Sequence, residues 1–94
     1  MLERKVERDL NAAVVARRGY SKKLVPTGDK DWPDRLVLLP GGVWAFVETK
    51  APGKVPRPSQ LRLHARLRRA GYIVLVLDHP SKIAALLEAI AILN

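Results

Sequence analysis

The sequence predicts one α/β domain: a small mixed β-sheet flanked by helices, in the order αβββαβ(α). Three observations lead there. Residues 34–50 read D-R-L-V-L-L-P-G-G-V-W-A-F-V-E-T-K, two apolar runs around a Pro-Gly-Gly turn, which is the pattern of a β-hairpin. The segments at 2–18 and from Ile83 onward carry apolar residues at helical spacing. A third apolar run at 72–77 is separated from the hairpin by a stretch long enough for a right-handed parallel crossover. With 94 residues, 1–94 is a single small domain.

The elements follow in order. In the first helix, Leu2, Val6, Leu10, Ala13 and Val14 recur on one side, and Arg17, Arg18 and Gly19 form its expected end. Residues 20–25 are a short, weak strand candidate, and 26–33 a loop between two prolines, with Trp32 extended because Pro33 follows it. The hairpin strands are 35–39 and 43–50. In the second, Val43, Ala45, Val47 and Thr49 share one face, and Trp44, Phe46, Glu48 and Lys50 the other. Residues 51–58 hold three prolines and a glycine and read as a loop. The next helix runs to about Ala70, with Leu63, Leu67 and Ala70 in one apolar line widened by Leu61 and Ala65, and Gly71 as its stop. The run at 72–77 reads as a strand buried on both faces. Asp78-His79-Pro80-Ser81 caps a final helix whose apolar face is Ile83, Leu86, Leu87, Ile90 and Leu93.

Composition narrows the chemistry. Lys and Arg number 17 against 9 acidic residues, a net charge of +8, which favours a polyanionic partner such as nucleic acid. The absence of cysteine excludes disulfides and thiolate zinc sites, and His64 and His79 are too far apart for a short-spaced metal motif. A metal here would take oxygen ligands, hence Mg2+ or Mn2+. No apolar run approaches the roughly 18 residues needed to cross a bilayer, and the N-terminus lacks a signal-peptide core. The expectation is a cytoplasmic protein with no membrane partner.

The hairpin gathers the charges. If Pro40-Gly41-Gly42 is the loop, Leu39 pairs with Val43 and Asp34 falls opposite Glu48, with Cβ atoms roughly 4.5–5.5 Å apart. Opposed carboxylates repel unless one is protonated or a cation lies between them, and Lys50 supplies only one positive charge. A divalent ion resolves the conflict; the bland alternative is a hairpin end projecting into water, where such pairs cost little. Phosphodiester hydrolysis needs carboxylates to hold an ion and positive charge for the developing oxyanions. Asp34 and Glu48 can be ligands, the Thr49 carbonyl another, and Lys50 can orient water or stabilise charge. Glu7, bordering the buried stripe of the first helix, either joins this site or, like Glu3, stabilises the helix N-terminus.

Trp32-Pro33-Asp34 and Glu48-Thr49-Lys50 resemble the PD-(D/E)-x-K nuclease superfamily. The longer string, with A-P-G-K at 51–54 and then R-P-S-Q-L, resembles the virus-type replication-repair nuclease (VRR-NUC) domain over nearly the whole chain. That resemblance implies a restriction-endonuclease-like core and a Mg2+- or Mn2+-dependent nuclease. Catalytic roles would fall on Glu7, Asp34, Glu48 and Lys50, and Gln60 would match the family glutamine and Lys23 a basic strand residue. It also implies a free-standing protein of bacterial or phage-infected cells, similar to Holliday-junction resolvases and forming a homodimer on branched DNA. Many members have glycine where this chain has Asp31; with Asp29 that acid is expected to solvate the loop.

For the DNA surface the candidates are Lys23, Lys54, Arg57, Gln60, Arg62, Arg66 and Arg69. Arg62, Arg66 and Arg69 share one helix face, where a phosphate backbone would relieve their mutual repulsion. Gln60 contacts substrate or secures the loop. His64 is expected at the helix surface or an interface, and Trp44 and Phe46 as core beneath the site. Ala84, Ala85, Ala89 and Ala91 offer a smooth second face on the last helix for a two-fold dimer. The competing readings are a non-catalytic basic DNA-binding module, and the same site acting on RNA or as a phosphatase.

Overall fold

The computed structural model describes residues 1–25 and 28–94. Its elements are α1 (Glu3–Ala16), β1 (Tyr20–Lys23), β2 (Arg35–Leu39), β3 (Val43–Thr49), α2 (Pro58–Arg69), β4 (Val74–Leu77), a 3-10 turn (Pro80–Lys82) and α3 (Ile83–Leu93). The strands lie in the order β1-β2-β3-β4; β1–β2 and β2–β3 are antiparallel, and β3–β4 is parallel through the α2 crossover. The succession of elements along the chain and the parallel pairing across the α2 crossover are those the sequence predicts. Of the loop expected over 26–33, Pro26 and Thr27 lie outside the described residues.

Strand parity builds the layers. Val37, Ala45, Val47 and Leu77 face one way and meet Val6, Leu10 and Val14 of α1 and Ile83, Leu86, Leu87 and Ile90 of α3. Phe46 and Val74 face the other way and meet Leu63 and Leu67 of α2, with Trp32 at the edge. The sheet is thus a middle layer between α1 and α3 on one side and α2 on the other. Each fully buried aliphatic side chain contributes roughly 1.5–3 kcal/mol, so Leu10, at 0% exposure, is a point where truncation would loosen α1 from the sheet.

The hairpin register is the expected one: Leu39 pairs with Val43 and Arg35 with Val47. Gly41 and Gly42 both have positive φ, 92° and 76°, which explains why the turn needs two glycines. The end of α1 differs from expectation. The left-handed residue is Arg18 (φ 62°), not Gly19. Gly19 is required for another reason: a Cβ there would overlap the Leu38 carbonyl oxygen, where the chain crosses β2 on its way into β1.

Two further expectations are corrected. The last strand is at the edge of the sheet, starts at Val74 and leaves Val76 37% exposed, so it is not buried on both faces along its length. Its apolar character comes from helices packed above and below it. Leu61 and Leu93 point to solvent, 47% and 58% exposed, and do not widen the apolar faces of α2 and α3. No helix of the described residues is long and apolar enough to cross a membrane.

Candidate active site

The polar side chains collect where β2 begins and β3 ends, at the mouth of the hairpin opposite the glycine turn. Glu48 and Lys50 share the α2 face, as parity requires, and Lys50 Nζ lies 3.6 Å from Glu48 Oε2. Gln60, in the first turn of α2, joins them. Its Oε1 accepts from Lys50 Nζ (3.1 Å) and from the Arg57 backbone N–H (2.8 Å), and its Nε2 donates to Glu48 Oε2 (3.4 Å). Pro58 at the helix start fixes φ without removing a needed donor, and the Gln60 carbonyl closes half of a capping box.

Asp34 stands just before β2. Its Oδ1 accepts the Thr49 N–H (2.7 Å) and its Oδ2 the Thr49 hydroxyl. The Lys50 N–H is bonded to Leu77 in β4, so by strand alternation the N–H and carbonyl of Thr49 turn toward β2 and Asp34. Asp34 therefore occupies the gap between the strands, within electrostatic reach of Glu48 on the α2 face and of Glu7 on the α1 face. Glu7, from the second turn of α1, lies 3.6 Å from Arg35 Nη2 and beside Asp34, which helps to raise its pKa. The four residues named from sequence, Glu7, Asp34, Glu48 and Lys50, come together across the end of the sheet.

The electrostatics carry the signature of a site. Glu48 is 4% exposed. Burial, and then the Asp34 carboxylate, push its pKa up from the ordinary 4.5 to about 7, against the opposing pull of Lys50. Glu3 is exposed in the first turn of α1, where an acid suits the helix N-terminus. Burial, and then the neighbouring Asp34 carboxyl, raise Glu7 as well, with Arg35 working the other way. Glu48 Oε1 is buried and has no hydrogen-bond partner among the described residues. A buried, strongly shifted carboxylate with an unsatisfied oxygen is what functional sites concentrate.

Two residues were not legible in their present roles. Arg35, directly after Asp34, turns onto the α1 face and faces Glu7; the signal was a charged residue at the same strand parity as buried Val37. His64 is not a surface residue: it is 0% exposed, with Nε2 3.7 Å from Glu48 Oε1. Its spacing of four from Gln60 was the available clue. Gln60 is 4% exposed and held by Lys50, Arg57 and Glu48, so it ties the start of α2 to the end of β3.

The loop acids brace the entry to the hairpin. Asp29 accepts from the Asp31 N–H and from Trp32 Nε1, and Asp31 accepts from Ser59 Oγ at the start of α2. Arg57 reaches back to Asp31 and the Lys30 carbonyl, so part of its charge is engaged within the protein. Lys23, Lys54, Arg62, Arg66 and Arg69 are exposed. Lys23 ends β1 opposite Arg35, and Lys54 lies in the turn after β3. Phe46 makes edge-to-face contacts with Trp44 (5.4 Å between centroids), Trp32 and Tyr72, and Trp44 lies tilted against the exposed Tyr72.

No family model matches the chain. The "Putative nuclease p44" of Acyrthosiphon pisum secondary endosymbiont phage 1 is 49% identical over 76 residues, which is 81% of this chain and 82% of that one. A solved "VRR_NUC domain" superposes with a TM-score of 0.83 at 37% identity, over 92% of this chain and 94% of its own. Likeness of that extent, in both sequence and fold, goes beyond a shared motif: this chain belongs to the VRR-NUC nuclease family, and its four-stranded mixed sheet with three helices is a restriction-endonuclease-like fold.

Proposed function

We propose that the chain is a Mg2+- or Mn2+-dependent endonuclease that hydrolyses phosphodiester bonds in branched DNA, in the cytoplasm of a bacterial or phage-infected cell. The observation that carries this reading is Glu48: a buried carboxylate with one unpartnered oxygen, in the field of Asp34 and beside Lys50.

The donors fit a hard divalent ion. Asp34, Glu48 and the Thr49 carbonyl offer only oxygen, and Mg2+ is commonly held by one or two carboxylates with water and substrate phosphate completing its shell. Among the described residues no three His, Cys, Asp or Glu side chains already enclose an ion. The reason is visible: Asp34 is turned to Thr49, and Glu48 to Gln60 and Lys50. The side chains that would hold the ion are therefore Asp34 and Glu48, with Glu7 as a further ligand or acting through water.

Bound there, the ion would polarise the phosphoryl group and make water a better nucleophile for in-line attack. The remaining roles belong to the chain. Lys50, held by the neutral Gln60 carbonyl, directs its ammonium at the attacking water or at charge developing on the phosphoryl oxygens. Arg35 holds Glu7 against Asp34. The exposed Arg62, Arg66 and Arg69 on α2, with Lys54 and Lys23, offer phosphate contacts on either side of the site. A two-fold dimer through the exposed Ala84, Ala85 and Ala91 of α3 would set two such sites for paired incisions.

The test is cleavage of labelled four-way junctions against linear duplex, flap, single-stranded DNA and RNA, with Mg2+, Mn2+ or EDTA. Metal-dependent incision with a preference for the junction is expected. Binding without cleavage would make the chain a DNA-binding module, and a sedimentation mass of one chain on a bound junction would remove the dimer.

A further inference from the structure

Helix α2 turns one side chain toward the site that the proposed chemistry does not use. His64 follows Gln60 by one helical turn, so both reach the same end of the sheet. Its ring is fully buried, and neither Nδ1 nor Nε2 has a hydrogen-bond partner among the described residues. Glu48 Oε1 is also buried and without one. Two of these three unmet atoms face each other, Nε2 to Oε1, at 3.7 Å.

A leucine would fill this space without a desolvation cost, as Leu63 and Leu67 do on the same helix. A sealed imidazole is the locally disfavoured choice, and such departures from a consistent core concentrate at functional sites. An imidazole carries at least one N–H whatever its charge, so the ring has a donor to offer. The distance to Glu48 exceeds a hydrogen bond, but the terminal torsion of a glutamate is soft, and a small rotation of the carboxylate closes it.

We propose that His64 is a positioning residue for Glu48: its Nε2–H is the donor for Oε1, while Oε2 stays with Gln60 and Lys50, so the carboxylate is presented in one orientation toward Asp34. Partners of this kind, one step removed from an ion, fix ligand direction and affinity. The consequence for metal binding rests on the nuclease reading above; the pairing of His64 with Glu48 does not.

Two measurements test it. Urea denaturation at pH 8 in EDTA compares wild type, His64→Leu, Glu48→Gln and the double variant. The effect of His64→Leu on the folding equilibrium constant should be about tenfold or more larger with Glu48 present than with Gln in its place, since an N–H to a carboxylate is lost only in the first case. Equal effects in the two backgrounds would overturn the proposal. Should the leucine variant not fold, His64→Met, of similar bulk, takes its place in the same cycle. Calorimetric titration with Mn2+ should show roughly 10–100-fold weaker binding in His64→Leu, and near-wild-type binding in His64→Gln, which keeps a side-chain N–H. Junction binding in EDTA should not change in His64→Leu or His64→Gln. Unchanged Mn2+ affinity in folded His64→Leu also overturns the proposal. If wild type binds no Mn2+, the nuclease reading fails, and the four-protein cycle still decides for or against the pairing.

Discussion

Replacing Glu48 by glutamine should destroy cleavage and stabilise the fold, and the second effect should depend on pH. The folded-state pKa of Glu48 is raised from 4.5 to about 7. A raised pKa means that the folded chain holds the proton more tightly than the unfolded chain does. The associated stability is fully present below about pH 4.5 and is lost as the pH rises to about 7. At ~1.4 kcal/mol for each pH unit, ionised Glu48 weakens the fold by about 3 kcal/mol above pH 7 relative to acid conditions. Its side chain is 5% exposed, so solvent screening takes little from that figure. Glutamine never ionises and keeps an oxygen for Gln60 and Lys50. In a domain of this size each kcal/mol moves the melting temperature by ~4–8 °C.

The assay is thermal unfolding followed by circular dichroism in EDTA, wild type against Glu48→Gln, at pH 4.5 and pH 8.5. The other titrating groups are common to both proteins and largely cancel. The two should melt together at the lower pH, and the variant should melt more than 10 °C higher at the upper one. Adding Mg2+ or Mn2+ at pH 8.5 should then raise the wild type alone, because an ion that binds only the folded chain stabilises it by mass action. A variant that melts at or below wild type at pH 8.5, or by the same margin at both pH values, would refute the view that an ionised, poorly compensated carboxylate sits in this core.

Lys50→Ala should reduce junction cleavage by roughly 10²-fold or more while junction affinity in EDTA stays within a few-fold, measured by single-turnover assay and by fluorescence anisotropy. Cleavage near the wild-type rate would remove Lys50 from the mechanism. Arg66→Ala should weaken DNA binding and lower the slope of log affinity against log salt by about 1, without affecting the single-turnover rate at saturating protein. Gly19→Ala should destabilise the fold by about 1–3 kcal/mol in urea denaturation, because its Cβ meets the Leu38 backbone and not a yielding side chain.

What the sequence revealed, and what it hid, follows from where each constraint is encoded. The hairpin was legible because its register is fixed locally: two glycines at positive φ close the turn, and the apolar residues on either side leave one pairing that buries Val37 and Ala45 together. Parity then put Glu48 and Lys50 on one face. Asp34 was placed correctly along the chain, but its direction was not legible. It precedes the strand, and its carboxylate follows the Thr49 N–H and hydroxyl in the gap between strands. The exposed edge at Val76 was hidden because an apolar run records helices above and below a strand, not the neighbour at its side. His64 was hidden by its setting: arginines at 62, 66, 68 and 69 make the helix read as a wet surface, while His64 itself lies on the narrow buried arc with Gln60, Leu63 and Leu67.

That arc explains how so short a chain supports a polar interior. The cluster holds three carboxylates, Glu7, Asp34 and Glu48, against two cations, Arg35 and Lys50. A fixed ion pair for Lys50 alone would tie up the charge that the proposed hydrolysis would draw on. Here its shortest contact is the neutral Gln60 oxygen, 3.1 Å against 3.6 Å to Glu48. The same oxygen accepts the Arg57 N–H at the start of α2. One side chain therefore begins the crossover helix, sets the direction of the lysine and touches the buried glutamate. The crossover that makes the last strand parallel is also what brings the start of α2 to the end of β3. The helix is held at that end by contacts within the site, so the geometry of the catalytic end and the stability of α2 are parts of one set of hydrogen bonds.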